Sequence, residues 1–451
     1  MAQPNEPTQI IETTAAPPLV ERPGALRALR QRDFRIFWSG ILVSATGSWM
    51  QNVAQGWLVY HLTHSPLWLG VVGFCGSLPM LLFTLPAGVV ADRLRRRNVV
   101  LVTQSAAMVQ AFVLGLLAYL GVVRPWHIAL LAFAGGVGNA FDMPTRHAMV
   151  MELVQRREDM LNALALQSSA FNLARMIGPA IGGELIALLY RLGNPYTRAV
   201  GACFLINSAS FLAILFSLLL IPARPPGMAK ATQSVWSDVK VGLRYVRRSP
   251  VLLTLTTMTA VSSLLAMPYG VLMPAFAEDI LKVGPAGLGR LVSSAGLGAL
   301  FIALVLSLWG HQWRRGMLAV VGAFIFPATL MAFALSRTFV GSIAFLVLAG
   351  VGSMLFNVVT NTMMQTTPPE RMRGRVMGVR SFVFSGLGPL GNLQIGAMAK
   401  WFGPPAAVFA GAAVCLLFAV GVFFRVPGLR HRRKTAPPAV RLSANRRAPT
   451  L

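Results

Sequence analysis

Charge is scarce in this chain. Only 12% of the 451 residues are Asp, Glu, Lys or Arg, against about 25% in average soluble usage. Acids are scarcest, 14 against 40 basic residues. So few charges exclude a fold that faces water on every side. Cysteine is nearly absent as well. Cys75, Cys203 and Cys415 each fall inside an apolar stretch, and an odd number of such thiols excludes a disulfide framework and leaves them as small hydrophobes. The phosphate-cradling pattern G-x-x-x-x-G-K-S/T does not occur, which excludes a nucleotide engine of that type. No close His/Cys/Asp cluster offers a metal site, and nothing pairs a nucleophile with a base. An enzyme and a cofactor are therefore not expected. Residues 1–24 are rich in Pro and Thr and carry Glu6, Glu12 and Glu21. They lack the basic-then-apolar order of a cleavable signal.

What the chain has instead is apolar length. Hydrophobic residues make up 55% and the mean hydropathy is +0.62. Twelve apolar runs recur, at 36–60, 66–90, 98–121, 126–145, 161–190, 199–221, 250–276, 284–309, 317–336, 339–364, 376–401 and 405–425. Each is about 20 residues or more, enough to cross a hydrocarbon core of about 30 Å as helix. Barrel strands are shorter and alternate. The expected fold class is an all-α polytopic membrane protein with 12 transmembrane helices.

The formal net charge of +26 does not indicate nucleic acid, because its placement follows topology. With the N-terminus in the cytosol, 32 of the 40 basic residues fall on cytosolic segments. This is the positive-inside pattern with both termini cytosolic, and it favours contact with anionic lipids. The expected organisation is a disordered tail and basic lead-in (1–33), a six-helix bundle (34–222), a cytosolic linker (223–249), a second bundle (250–426) and a basic tail (427–451). Within the linker, Trp236, Val239, Leu243 and Val246 recur at helical spacing beside Lys240, Arg244, Arg247 and Arg248. That pattern predicts an amphipathic helix on the membrane surface.

The two halves are weakly self-similar. "FDMPTRHAM" (141–149) aligns with "FNVVTNTMM" (356–364) at an offset of 215, and Gly178-Pro179 with Gly388-Pro389 at 210. Duplicated membrane halves favour a carrier with its site at the repeat interface.

The segment between the second and third runs reads "GVVADRLRRRNVV" (88–100). Gly88, Ala91, Asp92, Arg93, Arg96 and Arg97 resemble the loop signature of the major facilitator superfamily, with Arg95 where that family usually has glycine. The resemblance implies two pseudo-symmetric six-helix bundles and a loop that holds them together on the cytosolic side. A carboxylate and guanidiniums at a helix end can pair with facing charges and helix dipoles. Farther on, "FDMPTRHAMVMELVQRREDMLNALAL" is similar to the branch of that superfamily holding the enterobactin exporter and macrolide efflux proteins. Asp142, Pro144, Arg146, Ala148, Glu152, Leu153, Val154, Asn162 and Ala163 carry the likeness; Met151 replaces a common proline. Asp142 and Arg146, four apart with the acid first, suit a local ion pair. The resemblance also offers Asp142 to Arg96 or Arg97 as part of an inner gate. The helix-four arginine motif that some proton-coupled drug carriers use is absent.

"ARMIGPAIGG" (174–183) resembles the antiporter-associated motif of the fifth helix, with Ala174 in place of its first glycine. Gly178 and Gly182 share a face that lets another helix approach, followed by Gly183. Pro179 removes a backbone hydrogen bond and bends the helix. The resemblance implies packing against the eighth helix, which offers Gly289, Ser293 and Gly296. Arg175 and Glu184 lie nine residues apart, about 180° around the helix and about 13 Å along it, so they do not satisfy each other. A charge at a helix centre costs about 2.5–3.5 kcal/mol. A desolvated carboxylate trades protons near neutral pH, which makes Glu184 the candidate proton carrier; an acid near the outer interface that reaches water is the alternative reading.

Ser44, Ser48, Gln51 and Gln55 form one narrow polar face of the first helix; Asn357, Asn361 and Gln365 recur at fours in the tenth. By resemblance, helices one, four, seven and ten line a central cavity. Gln51, Gln55, Tyr269, Asn357 and Asn361 are the substrate candidates, with Trp49, Trp57 and Met258 as apolar neighbours. Hydrogen bonding between helices explains such stripes equally well.

The expected function is a secondary carrier working as a single chain in a bacterial cytoplasmic membrane. It would export a hydrophobic or amphipathic small molecule (a siderophore, macrolide or other drug) against protons. The alternatives are a facilitator or proton-coupled importer, and a non-transporting membrane sensor.

Overall fold

The computed structural model describes residues 26–154, 156–222, 235–309 and 315–425. The terminal tails and the segment 223–234 lie outside the described residues, as do the side chains of Asp92, Trp236 and Asp238. Six long helices come first: α1 (Arg32–Thr63), α2 (Pro66–Arg93), α3 (Arg96–Tyr119), α4 (Pro125–Leu153), α5 (Met160–Arg191) and α6 (Tyr196–Leu220). The amphipathic α7 (Val235–Arg248) leads to α8 (Pro250–Ile280), α9 (Gly284–Trp309), α10 (Arg315–Leu335), α11 (Phe339–Thr366), α12 (Glu370–Phe402) and α13 (Pro404–Arg425). Nine of the described helices are long and apolar enough to cross a membrane; α1, α4 and α12 carry too many polar side chains to meet that test. Helix is the form such segments take, because it satisfies the backbone internally where lipid cannot.

Local chemistry sets the ends. Pro66, Pro125, Pro250 and Pro404 each stand at a first helical position, where a missing N–H costs nothing. Gly403, at φ +83°, supplies the left-handed turn between α12 and α13 that other residues resist. The sharpest departure from the expected elements is α8. It is helical to Val261, then runs through π-type (262–266), 3-10 (267–272) and again π-type (276–280) turns. Pro268 and Pro274 lack the donors a regular ladder needs, so the break follows from "MPYGVLMP".

Helices α1–α6 form one bundle and α8–α13 the other. They meet along two seams, α2 against α12 and α5 against α9. We call the end bearing the α2–α3 and α4–α5 connections the basic end. Its opposite, the far end, holds one apolar cluster drawn from both bundles, including Trp57, Ile186, Phe276, Leu288 and Ile395. At the basic end each bundle keeps its own cluster: Phe34, Val150 and Leu218 in the first, Leu252, Phe356 and Val376 in the second. The molecule is therefore closed at the far end. Helix α7 rests on α12, with a Cβ on Gly242 only 2.6 Å from the Arg375 carbonyl oxygen. Val246 is buried beneath it, whereas Leu243, expected on the same face, is exposed.

The basic lead-in is anchored. Arg27 pairs with Glu158 (2.9 Å) and Asp159 (3.0 Å), and Asn162 accepts from the Ala28 N–H at 3.0 Å.

Candidate functional site: a cavity between the two bundles

A cavity of about 800 Å³ lies between the bundles. Its two walls differ. The first bundle contributes Ser44, Ser48, Gln51, Asn52 and Gln55 from α1, together with Gln104, Gln110, Asn139 and Asn207. The second contributes mainly Met267, Tyr269, Val271, Leu291, Leu346 and Phe384, with Asn357 and Asn392 as its amides. The α1 stripe is on the wall because its spacings of four and three keep to one helical face.

Of the expected substrate residues, Gln51, Gln55, Tyr269 and Asn357 line the cavity and Asn361 does not. Four residues advance about 6 Å and rotate about 40° past a full turn, which carries Asn361 beyond the wall. Trp57 is buried beside Tyr196 in the far-end cluster, with ring centroids 5.9 Å apart. Met258 faces a separate small pocket inside the second bundle.

Sequence reasoning missed Gln110, Asn139, Asn207 and Asn392. Asn207 donates to the Gln51 Oε1 at 2.6 Å, and Gln51 donates to the Gln110 Oε1 at 3.2 Å. Asn392 reaches across the seam to the Gly73 carbonyl (3.1 Å) and the Ser77 Oγ (3.2 Å). The only signal was each amide's isolation within an apolar run.

Asp142 is fully buried in the wall and sits 2.5 Å from Arg146. Its carboxylate also accepts from Thr103 and Gln104, both at 2.9 Å. The expected partnership with Arg96 or Arg97 is not made. Arg96 bonds Glu152 (2.7 Å) and the Ala148 carbonyl (3.2 Å), while Arg97 bonds the Leu218 carbonyl at 2.7 Å. Arg97 thus satisfies an orphan carbonyl at the end of α6, where a cation also meets the helix dipole favourably. Both arginines stitch α3 to neighbours inside the first bundle, and Arg146 at i+4 wins the acid because it is already on the same helix. Arg93 is exposed, and a Cβ on Gly88 would meet nothing within 4 Å.

The fifth-helix motif divides its contacts. Gly178 and Gly182 face α1, where added methyls would stand 2.7 Å from the Trp49 Cβ and 2.9 Å from the Met50 Cγ. Gly183, about 100° farther round, faces α9: its methyl would lie 2.9 Å from the Gly289 Cα. The eighth spanning helix is therefore met by Gly183 and the Pro179 carbonyl rather than by the Gly178–Gly182 face. Arg175 stacks over Trp49, its Cζ 5.7 Å from the ring centroid.

Glu184 sits at the seam between the bundles. Its side chain is 50% exposed and pairs with Arg290 of α9 at 2.6 Å. It closes the α5–α9 seam toward the far end, where two further polar contacts cross between the bundles. Tyr60 donates to Asp279, and His61 lies 3.8 Å from Glu278.

Two bundles of six helices, meeting at two seams around one cavity, are a carrier's architecture. The match to known families decides the matter: residues 23–446 fit the model of the transmembrane secretion effectors of the major facilitator superfamily. The chain belongs to that family. It is a multi-pass membrane transporter and not an enzyme. It is 31% identical to the multidrug efflux pump Tap of Mycolicibacterium fortuitum, over 88% of this chain and 96% of Tap. Identity to the enterobactin exporter EntS of Escherichia coli (strain K12) is 26%, over 90% of this chain and 94% of EntS. In fold, the transporter is similar to a bacterial homologue of the human lysosomal transporter Spinster, solved inward-facing and unoccupied. That likeness has a TM-score of 0.68 at 15% identity, covering 90% of this chain and 99% of that one.

Proposed function

We propose that this transporter exports an amphipathic small molecule across the bacterial cytoplasmic membrane, exchanging it for protons. The observation that carries the reading is the cavity: about 800 Å³, enough for a drug-sized molecule, with an amide-rich wall on one bundle and an apolar wall on the other. Relatives named as a multidrug efflux pump and an enterobactin exporter support export and that class of cargo. The basic end faces the cytosol by the positive-inside rule, so both termini are cytosolic and the closed far end faces out. Loading then occurs from the cytosol. One chain forms the complete cavity and acts as a monomer, with basic loops against anionic lipid.

Release requires the far end to part, which breaks the Glu184–Arg290 tie between bundles. A proton from outside that neutralises Glu184 removes that attraction, and this is how we assign Glu184 to coupling. We assign Gly88, Asp92, Arg93, Arg96, Arg97, Asp142 and Arg146 to the cytosolic gating region, and Arg175, Gly178, Pro179, Gly182 and Gly183 to the antiporter-type motif of α5.

The test is proton movement in inside-out vesicles with an acidified lumen, read by a pH-sensitive dye while siderophores, macrolides and other drugs are added. Compound-triggered proton efflux in wild type is expected, lost in Glu184→Gln. Efflux unchanged in the variant keeps antiport and discards Glu184. Measured substrate flux without any proton response overturns antiport in favour of a facilitator.

A further inference from the structure

The cavity's charges do not balance. Among the described residues of its wall, Asp142 is the sole carboxylate, and its oxygens are taken by Arg146, Thr103 and Gln104. Arg175 is also on the wall. It has no carboxylate partner among the described residues; its contact is the Trp49 ring. Behind Asn357 and Phe384 of the opposite wall stands a second such cation, Arg380. Its Cζ is 5.7 Å from the Phe384 centroid, it donates to the Asn357 Oδ1 at 3.5 Å, and its Nε is buried without a partner. Stacking holds a guanidinium by its face and leaves the N–H edge, a fork that matches a carboxylate. Cargo that fills the cavity displaces water from such a cation, and the cation is then costly unless the cargo pairs with it.

We infer that Arg175 is the anchor of an anion-binding subsite in the central cavity, so that the cargo is an amphipathic molecule bearing a carboxylate or a similar oxyanion. This rests on the carrier reading above and narrows its substrate class. Arg380 adds to the positive potential from the second bundle, while the ring or chain of the cargo lies on the apolar wall. Position gives the subsite a mechanical consequence. The Arg175 backbone abuts α9, with a Cβ on Gly296 only 3.2 Å from the Arg175 carbonyl oxygen. Cargo seated on Arg175 therefore binds a residue whose backbone belongs to the seam that must move.

The test uses the full chain in nanodiscs of neutral phosphatidylcholine and three probes sharing one ring system: 2-naphthoate, 2-naphthamide and 2-naphthylmethylammonium. Equilibrium binding is expected to favour the carboxylate over the amide by about tenfold or more, the range for a hydrogen bond to a charged group. The ammonium is expected to bind weakest. Arg175→Gln should bring the carboxylate down to the amide while leaving amide affinity unchanged, and Arg175→Lys should recover part of the difference. Amide binding is the control for folding. Equal affinity for the three probes, an equal loss of all of them in Arg175→Gln, or no saturable carboxylate binding overturns the anion subsite. None of these touches the export reading, which is judged from flux.

Discussion

Asp142 shows how a single residue's partners decide its consequence. The acid is fully buried, and Arg146 beside it is nearly so. Removing one member of a buried pair leaves an uncompensated charge, at about 3–5 kcal/mol, whereas removing both is far milder. Asp142→Ala is therefore expected to lower thermal stability in detergent sharply, and Asp142→Ala combined with Arg146→Ala to recover most of it. A double variant no more stable than the single would show that the acid acts through Thr103 and Gln104 instead. The pair was legible from sequence, since four residues on one helix fix its geometry before any tertiary contact forms. Arg290 as the partner of Glu184 was not legible, because two helices in different bundles, 106 residues apart, meet only once the seam exists. The same holds for Asn207 and Gln51, each of which reads as a lone amide until the bundle assembles.

At the scale of elements, the two seams are built alike. Gly183 meets Gly289 on α5–α9, and Gly70 meets Gly396 on α2–α12, where a Cβ on Gly70 would be 2.9 Å from the Gly396 Cα. Gly70 corresponds to Gly289 and Gly183 to Gly396 at nearly the offset that relates the halves, so the internal repeat is written into its close approaches. Small residues are what lets helices associate in lipid, and here they let the bundles touch backbone to backbone at the far end. Gly183→Val would overpack that contact, at about 1–3 kcal/mol, and the cost falls on the closed seam. We expect Gly183→Val to fold, to lose most transport, and to expose cavity positions to the outside. Gly421→Val, at a site where an added Cβ meets nothing within 4 Å, should transport normally. Equal loss in both would reduce the seam glycine to a generic helix effect. The motif in α5 was readable as close packing; which helix each glycine would face was not. Residues four apart and five apart face different neighbours, and only the bundle says which neighbours those are. The break in α8 was written plainly in two prolines and a glycine yet hidden by an otherwise continuous apolar run.

For the whole molecule, the clusters give the direction of the next movement. One apolar cluster spans both bundles at the far end, and two separate ones lie at the basic end. Alternating access then means splitting the first and joining the other two, with the cavity staying near the middle. Polar ties hold the far end shut: Tyr60 to Asp279 and Glu184 to Arg290, with His61 3.8 Å from Glu278 beside them. The Glu184–Arg290 pair is half-exposed and worth about 0.2–1 kcal/mol, whereas Tyr60 is buried and its hydrogen bond to a carboxylate is worth about 1.5–3 kcal/mol. Together they are too little to set the fold and enough to bias two states of similar free energy. Removing both with Glu184→Gln and Tyr60→Phe should shift the balance toward the outward-open state by roughly tenfold or more. The measurement is labelling of Gln55→Cys by an impermeant maleimide, in a chain whose Cys75, Cys203 and Cys415 are replaced. In right-side-out vesicles the label should react slowly when the ties are intact and faster when both are cut. In inside-out vesicles the order should reverse, because a population that opens outward is withdrawn from the inward-open state. Faster labelling on both sides would mean that the seam has loosened without switching, and the ties would then be ordinary surface pairs rather than a latch.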